Sequence, residues 1–173
     1  MPTTKPTSTP LDAATAFAEL YRRWFSDPRA LLRESERRAA GLVGAYLADV
    51  LALWDDRASA WLPRTPTILR LESCDVAVFA MRDPFVAPCF EGIDTDSPVA
   101  TFGARAKGRA GAPRWRNLRP CSYAIGRTLE RIAFDTDGDG RILAVRAKLD
   151  DGAALHVDAT GVACADQSVP RSA

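Results

Sequence analysis

The stretches Phe134-Asp-Thr-Asp-Gly-Asp-Gly-Arg141 and Leu149-Asp-Asp-Gly-Ala153 decide the fold of this chain. Each places Asp and Gly between runs in which apolar and polar residues alternate. Asp and Gly are typical of β-hairpin turns, because both tolerate the positive φ angles that such turns require. The two turns therefore predict a three-stranded antiparallel meander over residues 128–163.

The residues before position 67 have helical periodicity. Apolar side chains recur at helical spacing after Asp12, which is a good N-cap, and predict a first helix over residues 12–26. A wide apolar stripe over residues 42–54 predicts a second, longer helix over residues 35–60. Two amphipathic helices followed by strands are typical of an α+β domain, in which helices cover one face of a sheet.

From Thr67 onward the apolar period changes from 3.6 to 2. The segments Thr67–Leu71, Asp75–Met81 and Val99–Ala106 are predicted strands, and residues 82–98 are predicted to form an irregular loop. The predicted fold is α+β, with N-terminal helices packed on a curved antiparallel sheet that ends in the meander. Eight residues are expected to be buried together: Phe17, Tyr21, Leu47, Val50, Trp54, Val78, Val145 and Val157.

Length and composition favour a single domain. The chain has 173 residues, of which 47% are hydrophobic and 26% charged, as in ordinary globular proteins. We expect one α+β domain over residues 11–166, between disordered tails at residues 1–10 and 167–173. The net charge of +1 argues against a protein that binds polyanions through its overall field. No apolar stretch is long enough to cross a membrane, so no span is predicted.

The N-terminal residues and the cysteines bear on the compartment. Residues 1–10 contain three prolines and are rich in Thr, like the spacer that follows a removed export signal. Cys74, Cys89, Cys121 and Cys164 lack a C-x-x-C pair, which argues against a zinc site. We expect disulfides Cys74–Cys89 and Cys121–Cys164 and a periplasmic or secreted protein; the alternative is a cytoplasmic protein with reduced cysteines.

Four features of the sequence form a recognisable combination: the aromatic segment Phe17–Phe25, the segment Tyr46–Trp54 as a second helix, the bend Arg82–Phe85 and the terminal hairpins. Together they resemble the nuclear-transport-factor-2-like (cystatin-like) superfamily of cone-shaped α+β domains, and in particular its small bacterial exported members of unknown function. The resemblance implies a curved sheet whose concave interior can hold a small ligand. Enzymatic members place Asp and His inside the cone, but this chain offers no pair that can be carried over.

One candidate metal site lies in the first hairpin turn. Asp135, Asp137 and Asp139 followed by Gly140 match the first half of a calcium-binding loop. Arg146, however, occupies the twelfth position, where such loops carry a bidentate glutamate. The sequence therefore favours a solvated turn over a metal site, and no cofactor is predicted.

Three residues are weak catalytic candidates. His156, the single histidine, and Asp158 lie two apart in a predicted strand, so they share a face on which a carboxylate can orient an imidazole. Asp83 precedes a proline after the most apolar strand, where it is either a general base or a turn cap. The interpretation that involves no catalysis is favoured for all three.

A basic segment provides candidate binding residues. No acidic residue interrupts the region between Asp96 and Glu130. Its basic and aromatic residues suit a phosphate, a nucleic acid or an acidic protein partner: they are Arg105, Lys107, Arg109, Arg114, Trp115, Arg116 and Arg119.

Three classes of function follow. The sequence favours a non-enzymatic binding or protein-interaction module, such as an exported accessory or immunity-type protein with an unidentified protein partner. The first alternative is a small-molecule enzyme of isomerase or hydrolase type that uses the interior of the cone. Nucleic-acid binding through residues 105–119 is the second alternative and is disfavoured.

Overall fold

The computed structural model describes residues 10–96, residue 99 and residues 113–165. It consists of two N-terminal helices, a six-stranded antiparallel sheet and a four-stranded antiparallel sheet. The predicted α+β class is therefore confirmed. Most of the predicted tails, 1–10 and 167–173, and nearly all of the predicted strand over residues 99–106 lie outside the described residues.

The first helix, α1, spans Ala13–Ser26, close to its prediction. The Asp12 carboxylate accepts hydrogen bonds from the first backbone N–H groups and so caps the helix. Asp27 ends α1 and caps the next helix, α2, which spans Pro28–Ala40 and has proline in its first turn. One short Asp-Pro junction therefore turns the chain between the two helices.

The predicted second helix over residues 35–60 is wrong. Helix α2 ends at Ala40, and residues Leu47–Asp55 form strand β1. Gly44 lies between them with φ of +88°, a left-handed conformation that stops a helix. Strand β1 is largely buried on both faces, so its apolar residues do not alternate and their spacing also matches a helix.

The first sheet contains strands β1 to β6. Trp54 of β1 pairs with Trp61 on one edge and with Arg114 on the other, so β6 lies across β1 from β2 and β3. The sheet continues from β3 to β4 and β5, all antiparallel. Strand β5 lies within residues 82–98, so the prediction of an irregular loop is wrong there. The bounds are Ala60–Trp61, Thr67–Leu71, Asp75–Ala80, Val86–Cys89 and Arg114–Asn117 for β2 to β6.

A 3₁₀ helix over Arg119–Ala124 leads to the second sheet, which contains strands β7 to β10. They form an antiparallel meander with four strands rather than the predicted three. The extra strand arises because a third turn follows Asp158. Their bounds are Leu129–Thr136, Ile142–Leu149, Ala154–Asp158 and Gly161–Ala165.

The six-stranded sheet is buried between α1 and the four-stranded sheet. Phe79 of β4 packs on the α1 side with Leu20. Its neighbour Val78 points the other way and belongs to the core shared with Val145 and Val157. This explains the continuous apolar run in β4, because successive residues of a strand face opposite sides and both sides are covered.

Six of the eight predicted core residues lie in or against the core. Leu47, Val50, Val78, Val145 and Val157 are buried in the core that the two sheets share. Phe17 packs, partly exposed, against the core on the α1 side, whereas Trp54 is half-buried and meets Trp61 edge to face. Tyr21 is the most exposed of the eight, with 41% of its surface exposed. It lies one turn along α1 from Phe17, at the rim of a cleft.

Candidate functional site

The bend between β4 and β5 separates two clefts. Within the bend the backbone N–H of Phe85 donates to the carbonyl of Arg82 at 2.8 Å, and the Asp83–Pro84 peptide bond is cis. The N–H of Met81 donates to the Phe85 carbonyl at 2.9 Å, which closes the hairpin. The tight bend projects its side chains outward, and Asp83 lines both clefts.

The first cleft, which we call the aromatic–arginine cleft, has a volume of 330 Å³. Helix α1 provides three of its aromatic residues, the bend provides three residues, and the turn that precedes β8 provides one arginine. The lining consists of Tyr21, Trp24, Phe25, Arg82, Asp83, Phe85 and Arg141. The volume lies at the low end of the range for ligand pockets, about 300–1,000 Å³.

The aromatic rings of this cleft form one contiguous group. The Tyr21 and Trp24 ring centroids lie 5.7 Å apart, and those of Trp24 and Phe85 lie 5.9 Å apart. The Arg141 guanidinium carbon lies 5.6 Å from the Phe85 ring centroid, within cation–π range. Beside them, 77% of the Phe25 surface is exposed. The cleft therefore offers flat apolar surfaces next to positive charge.

One polar atom of the cleft lacks a partner. Trp24 is only 6% exposed, and its indole Nε1 is buried without a hydrogen-bond acceptor. Buried donors are almost always satisfied, and an unsatisfied one costs about 1–3 kcal/mol. Trp24 therefore carries a donor for which the described part of the chain provides no acceptor.

The second cleft, the histidine cleft, has a volume of 320 Å³ and lies on the other side of the bend. It brings together the three catalytic candidates Asp83, His156 and Asp158, and adds Asp135 and Thr160. The sequence analysis selected the three candidates for separate reasons. Their common location follows from the packing of the β4–β5 bend beside β9.

His156 and Asp158 interact as their strand positions predict, with Nε2 3.6 Å from Oδ2. Burial by itself would raise the pKa of Asp158. Hydrogen bonds from the Thr160 hydroxyl and backbone N–H, with the nearby His156, outweigh burial and lower that pKa below its usual value. Asp158 is thus held as a carboxylate. Oδ2 of Asp83 lies 3.6 Å from Nη1 of Arg64, so Asp83 has an ion-pair partner outside the cleft.

The carboxylates of the calcium-like turn are occupied by protein donors. Asp135 pairs with Arg146, the residue at the twelfth position. Oδ1 of Asp137 accepts from the backbone N–H groups of Asp139 and Arg141 at 2.9 and 2.8 Å. No three His, Cys, Asp or Glu residues in the described part of the chain form a group that could hold a metal ion.

The same turn is docked onto α2. Arg29 donates from Nε to the Asp139 carbonyl at 3.3 Å and from Nη2 to the Gly138 carbonyl at 3.5 Å. Gly140 has φ of +81°, and a Cβ there would lie 2.8 Å from Cγ of Arg29. The turn therefore helps to position Arg141 at the aromatic–arginine cleft.

Only part of the predicted basic segment lies among the described residues. Arg105, Lys107 and Arg109 lie outside the described residues. Of the rest, Arg116 in β6 pairs with Asp56 at 2.5 Å and stacks 5.5 Å from the Trp54 ring centroid.

The remaining basic-segment residues among those described line neither of the two clefts. Arg114 and Arg119 are exposed, and Trp115 is half-buried with its Nε1 unpartnered. The arginine best placed to contact a nucleic acid through both charge and stacking, Arg116, is already paired with an acid.

The cysteine predictions have different outcomes. Cys74 and Cys89 are both thiols, so the predicted Cys74–Cys89 disulfide is wrong. Both lie in the β4–β5 hairpin region, but Cys89 is turned into the core beneath α1, and burial raises the pKa of its thiol. Cys121 is fully buried, and the Cys164 side chain lies outside the described part of the structure. The Cys121–Cys164 disulfide stays a prediction.

The comparisons with known proteins add no identity. No family model, curated protein or solved structure matches this chain. No helix among the described residues is long and apolar enough to cross a membrane. Of the features that resemble the nuclear-transport-factor-2-like superfamily, the segment Tyr46–Trp54 lies mainly in strand β1 rather than in a helix.

Sequence reasoning missed the aromatic–arginine cleft. The sequence predicts Tyr21 in the core and indicates for Trp24 and Phe85 only that they belong to segments that carry the family resemblance, whereas Arg141 is only the residue that follows the first hairpin turn. The available signal was an excess of aromatic residues on α1 beyond the stripe needed to cover a sheet. Nothing local indicates that Arg141 lies beside them.

Proposed function

We propose that this protein is a non-enzymatic protein-interaction module whose binding face is the aromatic–arginine cleft and its exposed rim. The single observation that supports this is the exposure of Phe25 and Tyr21, at 77% and 41%, beside a concave site that holds Trp24 and two arginines. Trp, Tyr and Arg are the residues that most often dominate binding energy at protein interfaces.

The arrangement also fits how such interfaces gain affinity. Aromatic rings with few rotatable bonds contribute contact area at low entropic cost, and a concave centre excludes water around them. Here Trp24 is held by contacts with Tyr21 and Phe85, so its position is already set before a partner binds. The proposal includes the narrower role expected from the sequence, an accessory or immunity-type protein exported to the periplasm or secreted.

Site-specific photocrosslinking tests the binding face. A benzophenone amino acid replaces Phe25 in one variant and Val43 in a matched control, because Val43 is an exposed apolar residue, 59% exposed, near the junction of the two sheets. In cells of the source organism we expect one discrete protein adduct from position 25 and none from position 43. The adduct should disappear when Arg82 is changed to Glu. Equal adducts from both positions, or none from position 25, would contradict the proposal.

A second candidate function is supported by the shared location of Asp83, His156 and Asp158 in the histidine cleft. We propose as the alternative a small-molecule hydrolase in which Asp158 orients His156 as a general base. Turnover of a panel of p-nitrophenyl esters is its test. Hydrolysis that is lost in His156→Gln and retained in Arg131→Gln, an exposed change on β7, would favour the enzyme. No turnover above the control would remove it.

A further inference from the structure

The buried indole nitrogen of Trp24 indicates what the aromatic–arginine cleft binds. An indole N–H is a donor only, so its missing partner must be an acceptor. The neighbouring aromatic rings of Tyr21 and Phe85 leave it without one. A ligand that brings an oxygen to this position would satisfy a donor that folding has already removed from water.

The charges around the cleft indicate that this oxygen belongs to an anion. Arg82 is exposed and has no ion-pair partner among the described residues. The Arg141 guanidinium lies over the Phe85 ring. Its Nη1 also lies 3.4 Å from Oδ2 of Asp139 and 3.8 Å from Oδ2 of Asp137, both in the hairpin turn. Among the described residues Asp83 is the one carboxylate in the lining, and its Oδ2 lies 3.6 Å from Nη1 of Arg64. An acidic group that enters the cleft therefore meets an unpaired cation.

We infer that the cleft binds an acidic–apolar peptide segment of the partner. Its Glu or Asp carboxylate accepts from Trp24 Nε1 and pairs with Arg82, and an adjacent apolar side chain lies over Tyr21 and Phe25. This inference rests on the proposed protein-interaction function and specifies the chemistry that the cleft recognises.

The geometry favours a peptide over a small anion. A volume of 330 Å³ holds about one or two side chains, and the exposed Phe25 ring extends the apolar surface beyond the cleft itself. A lone carboxylate would leave Tyr21 and Phe25 uncovered. The indole nitrogen of Trp24 is itself buried, so binding of the peptide requires the side chains that cover this atom to move aside.

The test uses a blocked pentapeptide in which Glu alternates with Leu and Phe, and an otherwise identical peptide with Gln in place of Glu. The chain has four tryptophans, so a nitrogen–proton NMR spectrum contains four indole resonances, and the Trp24→Phe variant assigns that of Trp24. We expect the Glu peptide to shift the Trp24 indole proton downfield as the hydrogen bond forms. The Gln peptide should bind at least about tenfold more weakly, because it lacks the charge-assisted bonds.

Matched arginine variants test whether the Glu peptide binds at the aromatic–arginine cleft. Arg82→Gln should weaken the Glu peptide by about tenfold or more. Arg37→Gln, a change at an exposed position of α2 that does not line the cleft, should leave its affinity unchanged. Acetate at the same carboxylate concentration should not reproduce the shift.

The remaining outcomes contradict the inference. Comparison with the crosslinking result then shows whether the proposed function fails with it. Equal binding of the Glu and Gln peptides, or an equal shift by acetate, would show that the cleft does not select an acidic peptide. If crosslinking at position 25 captures a partner but the Glu peptide leaves the Trp24 resonance unmoved at millimolar concentration, the interaction function stands and the acidic-segment inference fails. If neither experiment gives a signal, both fail.

Discussion

Replacing Trp24 with phenylalanine tests whether its indole nitrogen lacks an acceptor. Phenyl has two fewer carbon atoms than indole, and at about 0.8 kcal/mol for each buried carbon this loss destabilises the fold by roughly 1.6 kcal/mol. The change also removes a buried N–H that has no acceptor, which stabilises the fold by about 1–3 kcal/mol. The two effects nearly cancel, so we expect the free energy of unfolding to stay within about 1 kcal/mol of wild type.

Urea denaturation and thermal melting of both proteins measure this. Trp24→Ala is the control, since it removes the whole ring and should cost about 3–5 kcal/mol. For a chain of this size 1 kcal/mol corresponds to a change of about 2–4 °C in Tm. A loss of about 3 kcal/mol in Trp24→Phe would mean that the nitrogen makes a hydrogen bond worth keeping. The argument for a missing ligand acceptor would then be refuted.

Gly140→Ala should destabilise by about 1–3 kcal/mol, because φ is +81° and the new Cβ would lie 2.8 Å from the arginine side chain of α2. Gly152→Ala has a similar φ of +85° but open space, so chemical denaturation should show a smaller loss; equal losses would argue against the close contact. Because the folded-state pKa of Asp158 is lowered, its carboxylate stabilises the fold above its ordinary pKa of 3.8, and this contribution is lost as pH falls further. Asp158→Asn should therefore flatten the decline in stability below about pH 4, and an unchanged acid limb of the stability curve would contradict this. A Cys121–Cys164 disulfide should stabilise the fold by about 3–4 kcal/mol, so a reductant should lower Tm. Thiol titration of the unfolded, unreduced protein should then find two thiols. Four thiols would overturn both the disulfide and the proposal of export.

Local chemistry determined much of the second sheet. The Asp-Gly turns before Arg141 and Ala153 require positive φ, and the flanking alternation leaves one face for the core, so both hairpins are predictable without tertiary information. The N-cap at Asp12 and the Asp-Pro junction at residue 27 likewise define α1 and its end. In each case the signal lies within a few residues of the feature that it specifies.

Strand β1 shows where such signals fail. Its apolar residues fit a helix equally well, because a strand covered on both faces loses the alternation by which strands are recognised. Only the presence of α1 on one side and the second sheet on the other decides between them. Burial on both faces also explains why the sequence of β5 resembles a loop, because this strand is short and shows no alternation of apolar and polar residues.

The sequence by itself determined the α+β class, the first helix, two hairpins and the pairing of His156 with Asp158, since each depends on neighbouring residues. The tertiary structure alone decided that the β4–β5 bend lies beside α1 on one side and β9 on the other. It thereby placed Trp24, Arg82 and Arg141 around one cleft, although these residues are far apart in sequence. Local patterns carry no information about such contacts, because they form only when separate layers pack together.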